Sequence, residues 1–230
     1  MRSDARGVSY RVASVTDVFD VQVPVLSGGP VPLIDVRISD REVILARSDV
    51  ATSNPEGGVF GARLDLSVGG PGGVPVSVTR GWTSVDATVR GHDFRLISTH
   101  LEVQSFPFIQ IPQGAELIGI AGGSPLPVVL MGDFNSAADM SQTPTYANLL
   151  AAGFQDVWQP RESAGYTCCH EKDLLNTNPT LDQRLDIVFI RGFDANDTGS
   201  VGARVEVVGD RPGDRLPSGL WQAQIFRKGI

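Results

Sequence analysis

The stretch PVVLMGDFNSAAD, Pro127 to Asp139, is the most informative part of the chain, because an unbroken apolar run gives way abruptly to Gly-Asp-Phe-Asn. A short apolar run that ends at turn-forming residues predicts a buried strand. The acid at the end of this strand has two interpretations. Asp133 either supports the turn that follows the strand, where Asp and Asn are common, or it belongs to a functional site. Taken alone, the residue leaves both open.

The segments on either side of this strand predict helices. IPQGAELIGIAG, Ile111 to Gly122, has helical spacing and a closing glycine. TPTYANLLAAGF begins with Thr143, a candidate cap, and with Pro144, which suits a first helical turn, and Gly153 should end the helix.

The rest of the chain predicts mostly strands. Two segments of the region 76–102 form a predicted hairpin that pivots around Gly91-His92. We therefore predict an α+β fold in which packed mixed β-sheets are covered by helices. Because no linker-like change of composition divides the chain, we predict a single domain over residues 1–230. The other predicted strands are VSYRVAS, PLIDVRIS, REVILARS, GVFGARLDLSV, RLDIVFIRG and ARVEVVGD.

Composition limits the kind of protein. The chain has 230 residues, a net charge of −7 and a pI near 4.9. Proteins that hold nucleic acid mainly by neutralising phosphates usually have a basic surface, so the overall charge argues against that mode, although a local basic cleft is compatible with it. With no apolar run of membrane-spanning length and no signal-peptide pattern, we expect a soluble chain without a visible targeting signal.

The only two cysteines, Cys168 and Cys169, are neighbours and cannot connect distant parts of the fold. With His170 they suggest zinc, but structural zinc sites space their ligands further apart and need four of them. A loop with one buried cysteine, or a disulfide between the two neighbours in an oxidising compartment, are the other interpretations.

Polar residues mark three predicted strands in the same way. His100 ends FRLISTH, Asp133 and Asn135 end PVVLMGDFN, and Asp186 lies near the start of QRLDIVFI. Carboxylate and amide oxygens suit Mg²⁺ or Mn²⁺, and a histidine can stabilise charge on phosphoryl oxygens. Each residue also has a structural interpretation; Asp186, for example, could pair with Arg184.

These segments, STHLE, VVLMGDFNS and QRLDIVFI, in this order and at these distances, resemble the endonuclease/exonuclease/phosphatase superfamily, which has the DNase I-like fold. The resemblance is strongest over residues 41–190 and includes GYT, Gly165 to Thr167. It implies a four-layer sandwich of two mixed β-sheets flanked by helices. It also implies divalent-metal-dependent hydrolysis of a phosphoester in a small molecule, a lipid head group or a nucleic acid. The overall charge favours the first two of these substrates.

The resemblance implies a role for each residue. His100 would contact the scissile phosphate, and Asp133 would position or activate the attacking water or hold Mg²⁺ or Mn²⁺. Asn135 would orient the phosphate or the nucleophile. Asp133 and Asn135 together are the residues expected to hold the metal. Asp186 would hold a catalytic histidine in its working tautomer.

The chain departs from the family pattern at both ends. The family has an N-terminal strand with an asparagine, a second strand ending in Gln-Glu, and a C-terminal Ser-Asp-His segment. Here Glu42 and Glu56 stand in the wrong context to replace that glutamate, and no histidine follows His170. We expect a fold that is incomplete at the N-terminus and a truncated or degenerate site with little or no activity by itself. The alternative function is a non-catalytic binding or interaction domain on the same fold.

Overall fold

The structure is a computed structural model, and it describes residues 2–3, 9–26, 33–68, 72–158, 164–171, 173–178, 180–193, 205–206, 218, 220 and 227–228. The chain forms two compact units, residues 1–100 and 101–230. The first unit contains strands β1 Arg2–Ser3, β2 Ser9–Leu26, β3 Leu33–Arg47, β4 Ala51–Val59, β5 Leu64–Val68, β6 Val74–Val78, β7 Gly81–Val89 and β8 His92–His100. The second contains α1 Pro107–Gly122, β9 Val128–Asp133, α2 Thr145–Ala151, β10 Gln155–Asp156, β11 Asp186–Arg191, β12 Val205–Glu206 and β13 Arg227–Lys228.

A long antiparallel pair, β2 and β3, is the main feature of the first unit. The predicted strands PLIDVRIS and REVILARS are one continuous strand, which corrects the prediction of two. The polar residues between them resemble a turn in the sequence, but they stay paired with β2. Ion pairs from Arg37 to Asp20 and from Arg41 to Asp17 cross the two strands at this point. Cross-strand pairs of opposite charge favour continued pairing.

The predicted hairpin is confirmed as β7 and β8, in a sheet with the order β4, β7, β8 within this unit. Val89 pairs with His92, so the turn is Arg90-Gly91, one residue earlier than predicted. Both turn residues have positive φ, 53° and 80°, as two-residue hairpin turns require. GVFGARLDLSV is not one strand, because the buried Phe60 separates β4 from β5 and its N–H donates to the Arg80 carbonyl.

The second unit has a sheet in which β11 lies between β9 and β10, with all pairs antiparallel. As predicted, β9 is a buried strand, and it lies between the two helices in the chain. Apolar side chains on one face of β9 and β11 are fully buried, and helix side chains join them in the core of this unit. They include Val128, Leu130, Ile187 and Phe189 from the strands and Leu117 and Leu149 from the helices.

The helix boundaries differ from the prediction in two respects. α1 begins at Pro107 rather than Ile111 and contains Pro112. Thr143 does not cap α2: Pro144 is in the cap position, and the Thr143 hydroxyl donates instead to Ser136 Oγ over 2.9 Å. A buried hydroxyl partner has therefore replaced the local cap. Gly153, with φ of 86°, follows the end of α2 as predicted.

The α+β class is confirmed. Of the predicted strand ARVEVVGD, only Val205–Glu206 lies within the described residues, where it pairs with Arg227–Lys228. Among the helices in the described part of the chain, neither is long and apolar enough to span a membrane.

Candidate functional site

Asp133 and Asp186 are direct partners in the antiparallel pair of β9 and β11. Residues opposite each other in such a pair project to the same face, with Cβ atoms about 5 Å apart. Burial, reinforced by the negative charge of Asp133, raises the pKa of Asp186 to about 7. The two carboxyl groups thus form an acidic pair that is only partly ionised at neutral pH.

The turn after β9 explains the Gly-Asp-Phe-Asn sequence. Gly132 has φ of 152° and Asn135 has φ of 47°, conformations that glycine and asparagine adopt more readily than other residues. The Asn135 N–H donates to Asp133 Oδ1 over 2.9 Å, a typical bond of an Asx turn. Between them Phe134 is fully buried, and its ring makes an edge contact with Phe189 at 5.1 Å. The Asp133 carboxylate is therefore a turn element as well as half of the acidic pair.

The buried Asn135 is held from several sides. Its side-chain amide donates to the Leu101 carbonyl over 2.9 Å, and its own carbonyl accepts from Gln110 Nε2 over 2.8 Å. Gln110 Nε2 also donates to the Phe134 carbonyl, and Thr145 donates to Gln110 Oε1 over 2.6 Å. These bonds fix the orientation of the Asn135 side chain.

Gln110 was missed in the sequence analysis. Gln110 and Gln113 lie three residues apart on α1, are fully buried and share a helix face. Two uncharged polar residues at that spacing on an otherwise apolar face were the available signal. Gln113 Oε1 accepts the Glu102 N–H over 2.8 Å, so this face of α1 supports both loops that it touches.

Thr167 of the GYT segment supports Asp186 directly. Its hydroxyl oxygen accepts the N–H groups of Leu185 and Asp186 at 3.1 and 3.0 Å. Its hydrogen bond to the Asp186 carboxyl opposes the rise in the pKa of that group. Gly165, with φ of 63°, lies against the Trp158 indole, where a Cβ would come within 2.3 Å of the ring. The local fold of GYT thus depends on this glycine.

One interpretation of the sequence paired Arg184 with Asp186, but Arg184 pairs with Asp156 instead. It donates from Nη2 to Asp156 Oδ2 over 2.6 Å, and both side chains are almost completely buried. Tyr146 also donates to Asp156 Oδ2, and the Trp158 N–H donates to Oδ1. Burial and the bond to Asp156 raise the pKa of Tyr146 to about 12. This network anchors the chain two residues before Asp186.

His100 ends β8 in the first unit, opposite Gly81. Arg80 Nη1 lies 3.4 Å from its Nδ1, and the same nitrogen of Arg80 lies 3.3 Å from Asp40 Oδ2. Because arginine can only donate, Nδ1 is the acceptor in this contact. Within this unit His100 is thus oriented by a cation that is itself paired.

The oxygen atoms of Asp133, Asn135 and Asp186 are compatible with a divalent cation such as Mg²⁺, which needs few protein ligands. The described residues contain no cluster of three or more His, Cys, Asp or Glu side chains suited to a metal. Mg²⁺, however, keeps several waters and is commonly held by one or two carboxylates. Burial first, and the negative charge of Asp133 second, raise the pKa of Asp186; a cation bound beside the two carboxyl groups would relieve the second of these effects.

Comparison with known proteins identifies the fold. Two structures of TDP2 from D. rerio, one complexed with a single-strand DNA product and one humanized by 14 mutations, both superpose with a TM-score of 0.53. They are 19% and 16% identical to the chain, over 80% and 90% of its length and 69% and 74% of theirs. No family model matches the sequence, and no curated protein matches it either. The chain therefore has the fold of these structures, the DNase I-like fold.

Proposed function

We propose that this chain is a phosphoester hydrolase domain that depends on Mg²⁺ or Mn²⁺ and acts by attack of water on phosphorus. The observation that carries the proposal is the pairing of Asp133 with Asp186 beside the rigid Asn135 turn. Carboxylates at the end of a buried strand, held in place by a hydrogen-bonded amide, are suited to organise water and a phosphate.

Each candidate residue would have a role that follows from its chemistry. Asp133, with Asn135, would hold Mg²⁺ or Mn²⁺, which when bound would polarise the phosphoryl oxygens. Burial raises the pKa of Asp186 to about 7 in the metal-free chain; a cation held by Asp133 would favour the ionised form of Asp186, which can accept a proton. Asn135, with its amide committed to Leu101, presents its side chain in one orientation. His100 keeps its assignment from the sequence as a phosphate contact.

The substrate class is the least restricted part of the proposal. A net charge of −7 disfavours binding driven by neutralisation of many phosphates, which favours small phosphoesters or lipid head groups. The single-strand DNA product in the TDP2 structure from D. rerio makes a short single-stranded oligonucleotide the appropriate nucleic-acid substrate to include.

A metal-dependent hydrolysis assay tests the proposal. We would measure turnover of bis(p-nitrophenyl) phosphate, p-nitrophenyl phosphate and a single-stranded oligonucleotide with Mg²⁺, Mn²⁺ or EDTA. In line with the little or no activity predicted from the sequence, we expect low, metal-dependent turnover, and Asp133→Asn and Asp186→Asn should each reduce it to the level measured in EDTA. Asp139→Asn is the matched control, because Asp139 follows the same turn and its carboxylate is hydrogen-bonded to the nearby Ser141. Turnover that survives Asp133→Asn would contradict the assignment.

The alternative, a non-catalytic binding domain on the same fold, is favoured by the absence, among the described residues, of a cluster of three metal-ligating side chains. Isothermal titration with Mn²⁺ separates the two functions. A site that Asp133→Asn abolishes, together with turnover, supports the hydrolase. A folded protein that shows neither metal binding nor turnover supports the binding domain.

A further inference from the structure

The two adjacent cysteines form a disulfide, Cys168–Cys169, so the vicinal-disulfide interpretation of the sequence is the one that the structure has. Cys169 is exposed and Cys168 is half-buried. The bond joins neighbouring residues, and a disulfide that closes so short a loop removes little entropy from the unfolded chain. Global stabilisation therefore does not account for it.

The position of the pair in the fold is more informative. The backbone of Cys168 exchanges hydrogen bonds with Asp182 and Gln183: its N–H donates to the Gln183 carbonyl, and its carbonyl accepts from both residues at 2.7 and 3.0 Å. The Cys169 carbonyl accepts from Thr180 Oγ1 over 3.1 Å. The two cysteines thus lie on one strand of a small ladder whose other strand continues into Asp186.

Thr167, the residue before the two cysteines, connects them to Asp186 through hydrogen bonds. Thr167 N–H donates to the same Gln183 carbonyl over 2.7 Å, while its hydroxyl accepts the N–H groups of Leu185 and Asp186. A change in backbone freedom at Cys168 therefore acts on a ladder of hydrogen bonds that ends at Asp186.

We propose that Cys168 and Cys169 are a reversible thiol–disulfide exchange site, whose oxidation state sets how firmly the Thr167 segment pairs with the Gln183–Asp186 segment. The reaction partner is a dithiol, small or protein-borne. Its thiolate attacks the exposed Cys169 Sγ, the S–S bond breaks, and Cys168 Sγ leaves as a thiolate that takes a proton. The second thiol of the reductant attacks the mixed disulfide, releases Cys169 as a thiol and departs as an oxidised disulfide. The protein gains two electrons and two protons.

The chemical half of the proposal is tested by counting thiols. We would equilibrate the full chain in buffers of reduced and oxidised dithiothreitol, alkylate it without unfolding, and measure intact mass. We expect one reversible transition between zero and two alkylated cysteines, with monomers throughout. Two alkylatable thiols under excess oxidant, or disulfide-linked dimers on a non-reducing gel, would overturn the proposal.

The structural half is tested by amide hydrogen exchange of the oxidised and reduced protein. We expect amides of residues 165–169 and 182–186 to exchange at least about threefold more slowly in the oxidised form, since closing the ring limits local opening. The hairpin Gly81–His100 serves as an internal reference. Cys168→Ser/Cys169→Ser, treated identically, should show no difference. Equal exchange of the ladder in both forms of the wild-type chain would overturn the coupling. Neither readout involves phosphoester hydrolysis, so their outcome is independent of the proposed function.

Discussion

Breaking the buried ion pair between Asp156 and Arg184 should destabilise the chain more than removing any other charged contact described above. The two side chains are 1% and 4% exposed, and their closest atoms are 2.6 Å apart. Arg184→Met leaves a buried carboxylate with only Tyr146 and the Trp158 N–H as donors. Removing one member of a buried pair costs about 3–5 kcal/mol, because the remaining charge stays buried without its counter-charge.

The variants are chosen to separate the charge from the shape. Asp156→Asn keeps an acceptor for the Trp158 N–H but strands the Arg184 charge, so we expect a similar loss of about 3–5 kcal/mol. The double variant Asp156→Asn/Arg184→Met strands neither charge, and it should cost less than the sum of the two by at least about 2 kcal/mol. Arg37→Met is the matched control, because the Arg37–Asp20 pair has similar geometry but is 66% and 46% exposed. We expect no measurable shift of the urea midpoint from that variant.

Urea unfolding followed by tryptophan fluorescence measures these values as shifts of the midpoint at constant slope. Two results would refute the reasoning. One is a loss below about 1 kcal/mol for either single variant, which is the range of exposed pairs. The other is additivity of the single variants within about 0.5 kcal/mol, which would mean that the two charges are not coupled.

Three further predictions concern the surroundings of the acidic pair. The pKa of Asp186 rises from 3.8 in the unfolded chain to about 7 in the folded one. The folded protein is therefore most stable below about pH 4, where Asp186 is protonated in both states, and it loses stability progressively as the pH rises to 7. In urea unfolding, Asp186→Asn should therefore have the same free energy of unfolding as the wild type at low pH, and a free energy about 2–4 kcal/mol higher at pH 8 in EDTA. Parallel pH profiles of the two proteins would contradict this. Thr167→Val removes the acceptor for two N–H groups and should cost about 1–3 kcal/mol in the same assay, with Thr167→Ser recovering most of it. Gly165→Ala, at φ of 63° and against the Trp158 indole, should cost about 1–3 kcal/mol and change the near-ultraviolet dichroism; an unchanged spectrum would count against that contact.

The elements that sequence predicted well are those with a purely local signal. The strand Val128–Asp133 and the hairpin of β7 and β8 were evident from apolar runs and turn residues. The predicted break between two strands at residues 39–41 was wrong because their turn-like character is local, whereas the ion pairs at this point of β3 come from Asp20 and Asp17 of β2, 17 and 24 residues away in the sequence. The prediction that Thr143 caps α2 was wrong for the same reason, because its hydroxyl bonds Ser136, which is close in the fold rather than in the local turn.

The site shows the same division. The polar ends of the strands identified Asp133, Asn135 and Asp186 as candidates, and whether they and His100 act together in catalysis stays a prediction. That Asp133 faces Asp186 depends on the register between two strands that lie far apart in the chain, and one residue of slippage would send the two carboxyl groups to opposite faces. No local pattern encodes this register. It is set by the packing of the fully buried side chains of β9 and β11.

The two interpretations of Asp133, turn residue and site residue, are not alternatives. One carboxylate oxygen accepts the Asn135 N–H, and an ionised carboxylate has about four acceptor positions, so the turn occupies only part of its capacity. The turn bond needs an acceptor but no charge, whereas the effect on the pKa of Asp186 needs the charge. Asparagine at this position would keep an acceptor for the turn, so the turn accounts for the glycine, the buried phenylalanine and the asparagine of Gly-Asp-Phe-Asn, but it does not require the negative charge of Asp133. This charge lies opposite the half-buried Asp186 and disfavours its ionised form, which is the reason that we propose a functional role for this end of β9.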